Sequence, residues 1–267
     1  MKIAYAGEPF HGFARQPDAH TVDGEVRFAL RAAGICPDPT AGRLEVASRT
    51  DRGVSAIGNV VAFDTSWRPD AVVGAFNDRA EDVWAWAFAE VPDDFRARHA
   101  IERWYRYHLL DDIPPDRLRE ALTLFVGEHD FRSFTTDPPR GAFDIDRVDV
   151  SSEDNSTIID IRARSFRRGM VRRIVAAAVA YAQAEVGLVD IRNALEGAKR
   201  DFGAVAPEPL FLMDVRYAAP FRIVPKGKVL DEWRTLARES ALGLRFSRAV
   251  LALPVAQREA PVRRNPL

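Results

Sequence analysis

The chain has 267 residues and a mass of 29.8 kDa, enough for one large domain or two modest ones. Hydrophobic residues make up 47% and charged residues 29%, a balance that excludes wholesale disorder, and no apolar run approaches the ~20 residues of a membrane span. The single cysteine, Cys36, excludes an internal disulfide and a cysteine-based zinc cluster, and the formal net charge of −1 gives no overall sign of a polyanion partner.

The first strand is predicted over Lys2–Ala6, ended by Gly7 and Pro9. The start lacks the apolar stretch of a secretory signal, which predicts a soluble, cytoplasmic protein. From Thr21, a candidate cap, Val22, Val26, Ala29, Leu30 and Ala33 follow helical spacing until Gly34 and Pro37. Leu44–Thr50 and Ala56–Thr65 read as strands around the polar turn Arg49-Thr50-Asp51-Arg52-Gly53. A short helix over Ala71–Arg79 leads to a strand over Val83–Val91 and another over Arg103–Leu110. A helix over Asp116–Val126 follows, then two strands, Asp144–Val150 and Thr157–Arg164, joined through Ser151–Ser156. The longest helix is predicted over Arg167–Val186, with a second over Asp190–Lys199 and a last strand over Leu210–Tyr217. The repeated order of strands and helices predicts an α+β chain of two related halves, residues 1–102 and 103–220. The extension, residues 221–267, carries a helical stretch, Leu230–Leu242, and a polar end, Arg258–Leu267, expected to be mobile.

Charge type says more than charge balance. Lysine occurs only at Lys2, Lys199, Lys226 and Lys228, so nearly every cation is an arginine, whose flat fork of donors suits phosphate and stacks on bases. A GC-rich genome produces the same bias, so the distribution of the arginines has to decide. Three segments stand out. Asp51 lies between Arg49 and Arg52, where opposite charge favours the ionised carboxylate that a nucleophile requires, although an aspartate in a glycine-containing turn commonly just bonds its own backbone. In the segment Ile101–Leu109, taken as a strand, Arg103, Tyr105 and Tyr107 share one face and Trp104, Arg106 and His108 the other, either a base-stacking platform or ordinary edge-strand packing. In the third, Arg162, Arg164, Arg167, Arg168, Arg172 and Arg173 occur with no acid among them. Arg168 and Arg172, four apart, are expected on one face near a helix start, where cations oppose the macrodipole and call for an anionic partner. The five histidines show no ligand spacing, and no dinucleotide, Walker-type or nucleophile-elbow motif occurs, so neither metal nor organic cofactor is expected.

Taken together, these segments resemble the TruA family of tRNA pseudouridine synthases. The opening Tyr5-Ala6-Gly7, Phe10-His11-Gly12, Gln16 and Thr21-Val22 follow the family's order, as does Arg49-Thr50-Asp51-Arg52-Gly53-Val54. Val91–Arg98, Tyr105-Arg106-Tyr107 and Met170-Val171-Arg172 complete a match over residues 1–217. Ser48 and Ser55 depart from the glycine and histidine usual in bacterial members, as do Pro209, Arg173 and Ala176 at their positions. The resemblance implies two pseudo-twofold related ferredoxin-like halves joined across a basic cleft, usually a homodimer, acting on tRNA uridines in the anticodon stem-loop without a cofactor. It places the catalytic aspartate at Asp51, the active-site tyrosine at Tyr105 and the active-site arginine at Arg172, the last as a forked pair to Asp51. Tyr105 would stack on the uracil and help remove its C5 proton, and Leu210 would wall the base pocket. Arg49, Arg164, Arg167 and Arg168 are expected on the RNA. A non-catalytic RNA-binding module of this fold and a hydrolytic N-glycosidase are the competing functions.

Overall fold

The computed structural model describes residues 1–36, 38, 43–111, 113–137, 142–153, 156–224 and 227–251. The first strand, β1 (Lys2–Tyr5), is buried along its whole length, and its polar exit through Gly7 leads to α1 (Val22–Ala32). Thr21 caps that helix as its sequence predicts: its Oγ1 accepts from the Gly24 N–H at 3.3 Å, a contact worth about 1 kcal/mol. Next come β2 (Glu45–Val46), β3 (Ser55–Ala62), α2 (Pro69–Asn77), β4 (Val83–Phe88), β5 (Glu102–Leu109) and α3 (Pro115–Thr123). Both α2 and α3 open on a proline, whose missing N–H costs nothing in a first helical turn. The short β6 (Gly127–His129) and a 3-10 turn (Arg132–Phe134) precede β7 (Phe143–Ile145), β8 (Arg147–Glu153) and β9 (Ser156–Ala163). The chain then runs through α4 (Met170–Ala182), α5 (Leu188–Leu195), β10 (Leu210–Arg216) and β11 (Arg222–Ile223) to α6 (Gly227–Leu251).

Among the described residues, the main sheet has the order β11-β4-β1-β3-β10-β5-β9-β8, with β2 beside β3 and β6-β7 as a separate ribbon. Its pairs are antiparallel except at the centre, where β3 and β10 run parallel through Ser55–Phe211 and Ala56–Leu212. The elements of residues 1–102 contribute β4-β1-β3-β2, and those that follow contribute β10-β5-β9-β8. Both sets have the spatial order fourth, first, third, second. The inward faces of these strands, with Ile3, Leu212, Tyr107, Ile159 and Ile161, form one core with Val26 and Leu30 of α1, Leu118 and Leu122 of α3, and Ile174 of α4. Residues Met1–Val224 make one compact unit and Pro225–Leu267 a second. In the second unit, α6 carries its own Arg234–Asp231 ion pair at 2.9 Å; the polar end Arg258–Leu267 lies outside the described residues.

The mixed α+β architecture matches the expectation, and several elements depart from it. The long helix starts at Met170 rather than Arg167, because Gly169 stands in a left-handed conformation (φ +67°) that a continuing helix cannot contain. Arg168 therefore precedes the helix and does not share a helical face with Arg172. The strand expected over Asp144–Val150 breaks at Asp146, so that β7 pairs with β6 and β8 with β9. The strand expected over Leu44–Thr50 shortens to Glu45–Val46, since the chain leaves the sheet at Ala47 to build the loop that carries Asp51. At 25 residues α6, not α4, is the longest helix described.

Candidate active site

The loop between β2 and β3 is held from below before it presents anything. The buried Tyr5 hydroxyl meets Thr50 Oγ1 at 2.9 Å and accepts from Asn59 Nδ2 at 3.1 Å, while the same Asn59 amide donates to the Ser48 carbonyl at 2.9 Å. The Thr50 carbonyl accepts the Phe13 N–H at 3.0 Å. Asp51 then opens a tight turn closed by the Val54 N–H on its carbonyl at 3.2 Å, with Gly53 at φ +84° in the position that favours glycine. Gly7 lies directly beneath, and a Cβ there would stand 2.4 Å from the Gly53 backbone. The opening strand and the turn touch main chain to main chain.

From the other side come β5 and α4. Along β5 burial alternates, with Arg103, Tyr105 and Tyr107 inward and Glu102, Trp104, Arg106 and His108 toward the outer face, as period two requires. Tyr105 is 8% exposed and meets Phe166 edge-on, ring centroids 5.1 Å apart. Burial pushes its phenol up to about 12, opposed by the Arg103 charge and by hydrogen bonding with Ser48 and reinforced by the Asp51 charge. Tyr107 is likewise pushed up to about 12 by burial, against the charge of Arg172. Arg172, in the first turn of α4, donates from Nε to the Val205 carbonyl at 2.8 Å and from Nη1 to Asp51 Oδ2 at 3.4 Å. The forked pair expected with Asp51 is thus a single contact, because Val205 takes the Nε side of the guanidinium.

These groups line one open groove of about 1300 Å³. Asp51, Tyr105, Arg172 and Leu210 meet there from loop, strand, helix and strand end, joined by Arg49, Arg167 and Arg168. Leu210 is buried, and Arg49 and Arg168 are exposed. Arg164 does not line the groove. It follows the end of β9 and is exposed, and its contribution is a carbonyl accepting from Arg103 Nη1. Nor does the whole arginine stretch face the groove: Arg162 stacks on Trp104 at 4.3 Å and pairs with Glu102 at 3.6 Å, while Arg173 pairs with Asp201 at 2.7 Å. Sequence reasoning missed further arginines of the groove, Arg15, Arg27, Arg96 and Arg98, which lie singly along the chain and form no run. It also noted Arg103 merely as a face-mate of Tyr105. Arg103 is 5% exposed, and its guanidinium reaches under the Asp51 loop to Ser48 Oγ (3.0 Å) and the Ala47 carbonyl (2.7 Å).

A carboxylate beside a guanidinium and a buried phenol, set in a groove rich in arginine, is chemically suited to carboxylate chemistry on a polyanionic substrate. Comparison with known proteins narrows the class. The family model for tRNA pseudouridine synthase matches residues 121–218. The curated tRNA pseudouridine synthase A of Pyrococcus furiosus is 40% identical over 223 residues, spanning 81% of this chain and 82% of its own. That of Methanothermobacter thermautotrophicus is 38% identical over 84% of this chain and 82% of its own, and that of Haloarcula marismortui 39% over 81% and 84%. The chain belongs to the tRNA pseudouridine synthase A family.

Proposed function

We propose that the groove receives the anticodon stem-loop of tRNA and that Asp51 acts on one everted uridine on its 3′ side. The protein is an isomerase that converts uridine to pseudouridine in tRNA. The reaction breaks the N1–C1′ bond, turns the uracil and joins C5 to C1′; the C5 proton leaves and N1 gains one, so no atom is lost overall. The observation that carries the site assignment is the Asp51 Oδ2–Arg172 Nη1 contact in a groove shared with Tyr105. That contact holds Oδ2 and leaves Oδ1 to meet the sugar. Two routes are open to it, attack at C1′ and removal of a ribose proton, and both need the anion. Tyr105, protonated at neutral pH, stacks on the base as a neutral phenol; to take the C5 proton it would first have to lose its own. Leu210 walls the pocket so that freed uracil rebinds rather than escapes. Everting the base costs a few kcal/mol, offset by stacking and by phosphate contacts from Arg49, Arg167 and Arg168.

The same spatial strand order in residues 1–102 and 103–220 supports reading them as ferredoxin-like halves related by a pseudo-twofold, with 221–267 as an extension. The family resemblance supports a cytoplasmic homodimer, which sedimentation tests. The decisive experiment maps pseudouridine in tRNA treated with purified protein beside the Asp51→Asn variant. Isomerisation is expected to fall by about 10³-fold or more while tRNA affinity holds within about threefold. A variant with full turnover overturns the role of Asp51, and release of free uracil overturns isomerisation.

A further inference from the structure

We propose that Tyr5 is a positioning residue for Asp51, its hydroxyl setting the place of the turn that carries the carboxylate. Residues 47–54 belong to no strand, so buried side chains must do what a sheet ladder does elsewhere. Asn59, wholly buried on β3, is oriented by two main-chain groups: its Oδ1 accepts the Val60 N–H and its Nδ2 donates to the Ser48 carbonyl, both at 2.9 Å. Neither contact survives a flip of the amide, and the remaining Nδ2 hydrogen goes to the Tyr5 oxygen at 3.1 Å. Tyr5, 2% exposed, in turn meets Thr50 Oγ1 at 2.9 Å; either hydroxyl can donate, and the hold on Thr50 is the same. The Thr50 carbonyl is taken by the Phe13 N–H at 3.0 Å, so the residue before Asp51 is held by side chain and main chain at once. Beyond the turn, the Gly7 N–H donates to Ser55 Oγ at 3.0 Å. The end of β1 and its exit therefore grip the loop before and after the aspartate. The tether of the carboxylate itself, to Arg172, is long at 3.4 Å, which leaves the main chain beneath to decide where the carboxylate stands.

This deepens the proposed function and rests on Asp51 being the carboxylate that meets the sugar. Reacting atoms must come within about 3–3.5 Å in the right alignment, so a small displacement of the turn lowers the rate while the phosphate contacts that bind tRNA stay in place. A buried network that served folding alone would lower stability when cut and leave the turnover of folded protein intact. Asn59 is a poor first target, because its loss leaves the Ser48 carbonyl without its donor as well as Tyr5. Tyr5 and Thr50 each reach the other through one hydroxyl, which can be removed with little change of shape.

The test uses the full-length protein and four variants, Tyr5→Phe, Thr50→Val, Thr50→Ser and the double Tyr5→Phe/Thr50→Val, with kcat and KM measured on one tRNA and the folded fraction measured by urea unfolding. Tyr5→Phe and Thr50→Val are each expected to lower the kcat of folded protein about tenfold with KM unchanged within about twofold, and Thr50→Ser, which keeps the hydroxyl, to stay within about twofold of wild type. The double variant is expected to lose about tenfold rather than about 100-fold, because the two hydroxyls act through one contact. Wild-type kcat in folded Tyr5→Phe, losses that multiply in the double variant, or a Thr50→Ser as slow as Thr50→Val overturns the proposal. Wild-type protein that forms no pseudouridine, or Asp51→Asn at full turnover, overturns instead the reading on which it rests.

Discussion

The two faces of β5 carry similar residues and do different things. On the outer face Arg106 donates to both oxygens of Asp160 at 2.9 Å, Trp104 Nε1 donates to the same carboxylate at 2.7 Å, and Arg106 and Arg162 lie over the Trp104 ring. There each cation has its anion within the protein, and the cluster ties β5 to β9. Two buried nitrogens remain without a partner among the described residues, His108 Nε2 and Arg162 Nε. Burial and the charge of Arg106 push the His108 ring down, so its deficit is one hydrogen bond and not a stranded charge. On the groove face, Arg103 is satisfied by carbonyls, Asp51 is engaged through one oxygen, and exposed arginines line the rim. Aromatic and arginine content therefore does not mark a binding surface. What marks it is a share of cations, Arg49 and Arg168, left without an ion pair among the described residues, beside the paired Arg27–Asp23 and Arg96–Glu45 of the same groove.

Variants on either face can break that comparison. The largest effect is expected from Arg172→Lys: turnover falls about 100-fold while tRNA affinity changes by less than about threefold, because an ammonium cannot hold the Val205 carbonyl and Asp51 together. An equal loss of affinity in filter binding would make Arg172 a phosphate contact instead. On the outer face, Asp160→Asn is expected to cost about 2–3 kcal/mol in urea unfolding and to leave kcat within about twofold. A collapse of kcat with stability intact would join that face to the chemistry. The smallest effect is one of slope. Arg168→Gln should reduce the dependence of log affinity on log salt by about 1, and Arg162→Gln should leave it unchanged. Equal slopes for the two variants would erase the distinction between the faces.

The sequence makes the convergence of Asp51, Tyr105 and Arg172 legible because each sits in a distinctive local motif whose order along the chain matches a family. Period two assigned the faces of β5 correctly, since the strand runs unbroken from Glu102 to Leu109. The arginine run is not legible in the same way, for a related reason. Between Ala163 and Met170 the chain is neither strand nor helix, so no single period places Arg164, Arg167 and Arg168. The acids that neutralise Arg162 and Arg173, Glu102 and Asp201, lie outside the run, and absence of acid within a segment says nothing about acid across a sheet. Ser48 carried no local signal; its meaning arises from Arg103, 55 residues away.

One contact, Gly7 against Gly53, places the turn that carries Asp51 under the control of the seventh residue. Any methyl group at that position would shove the aspartate turn outward, and the resulting lesion would be scored as an enzyme defect although Gly7 does not itself line the groove. Inherited variation there should accordingly be as scarce as at the acid itself.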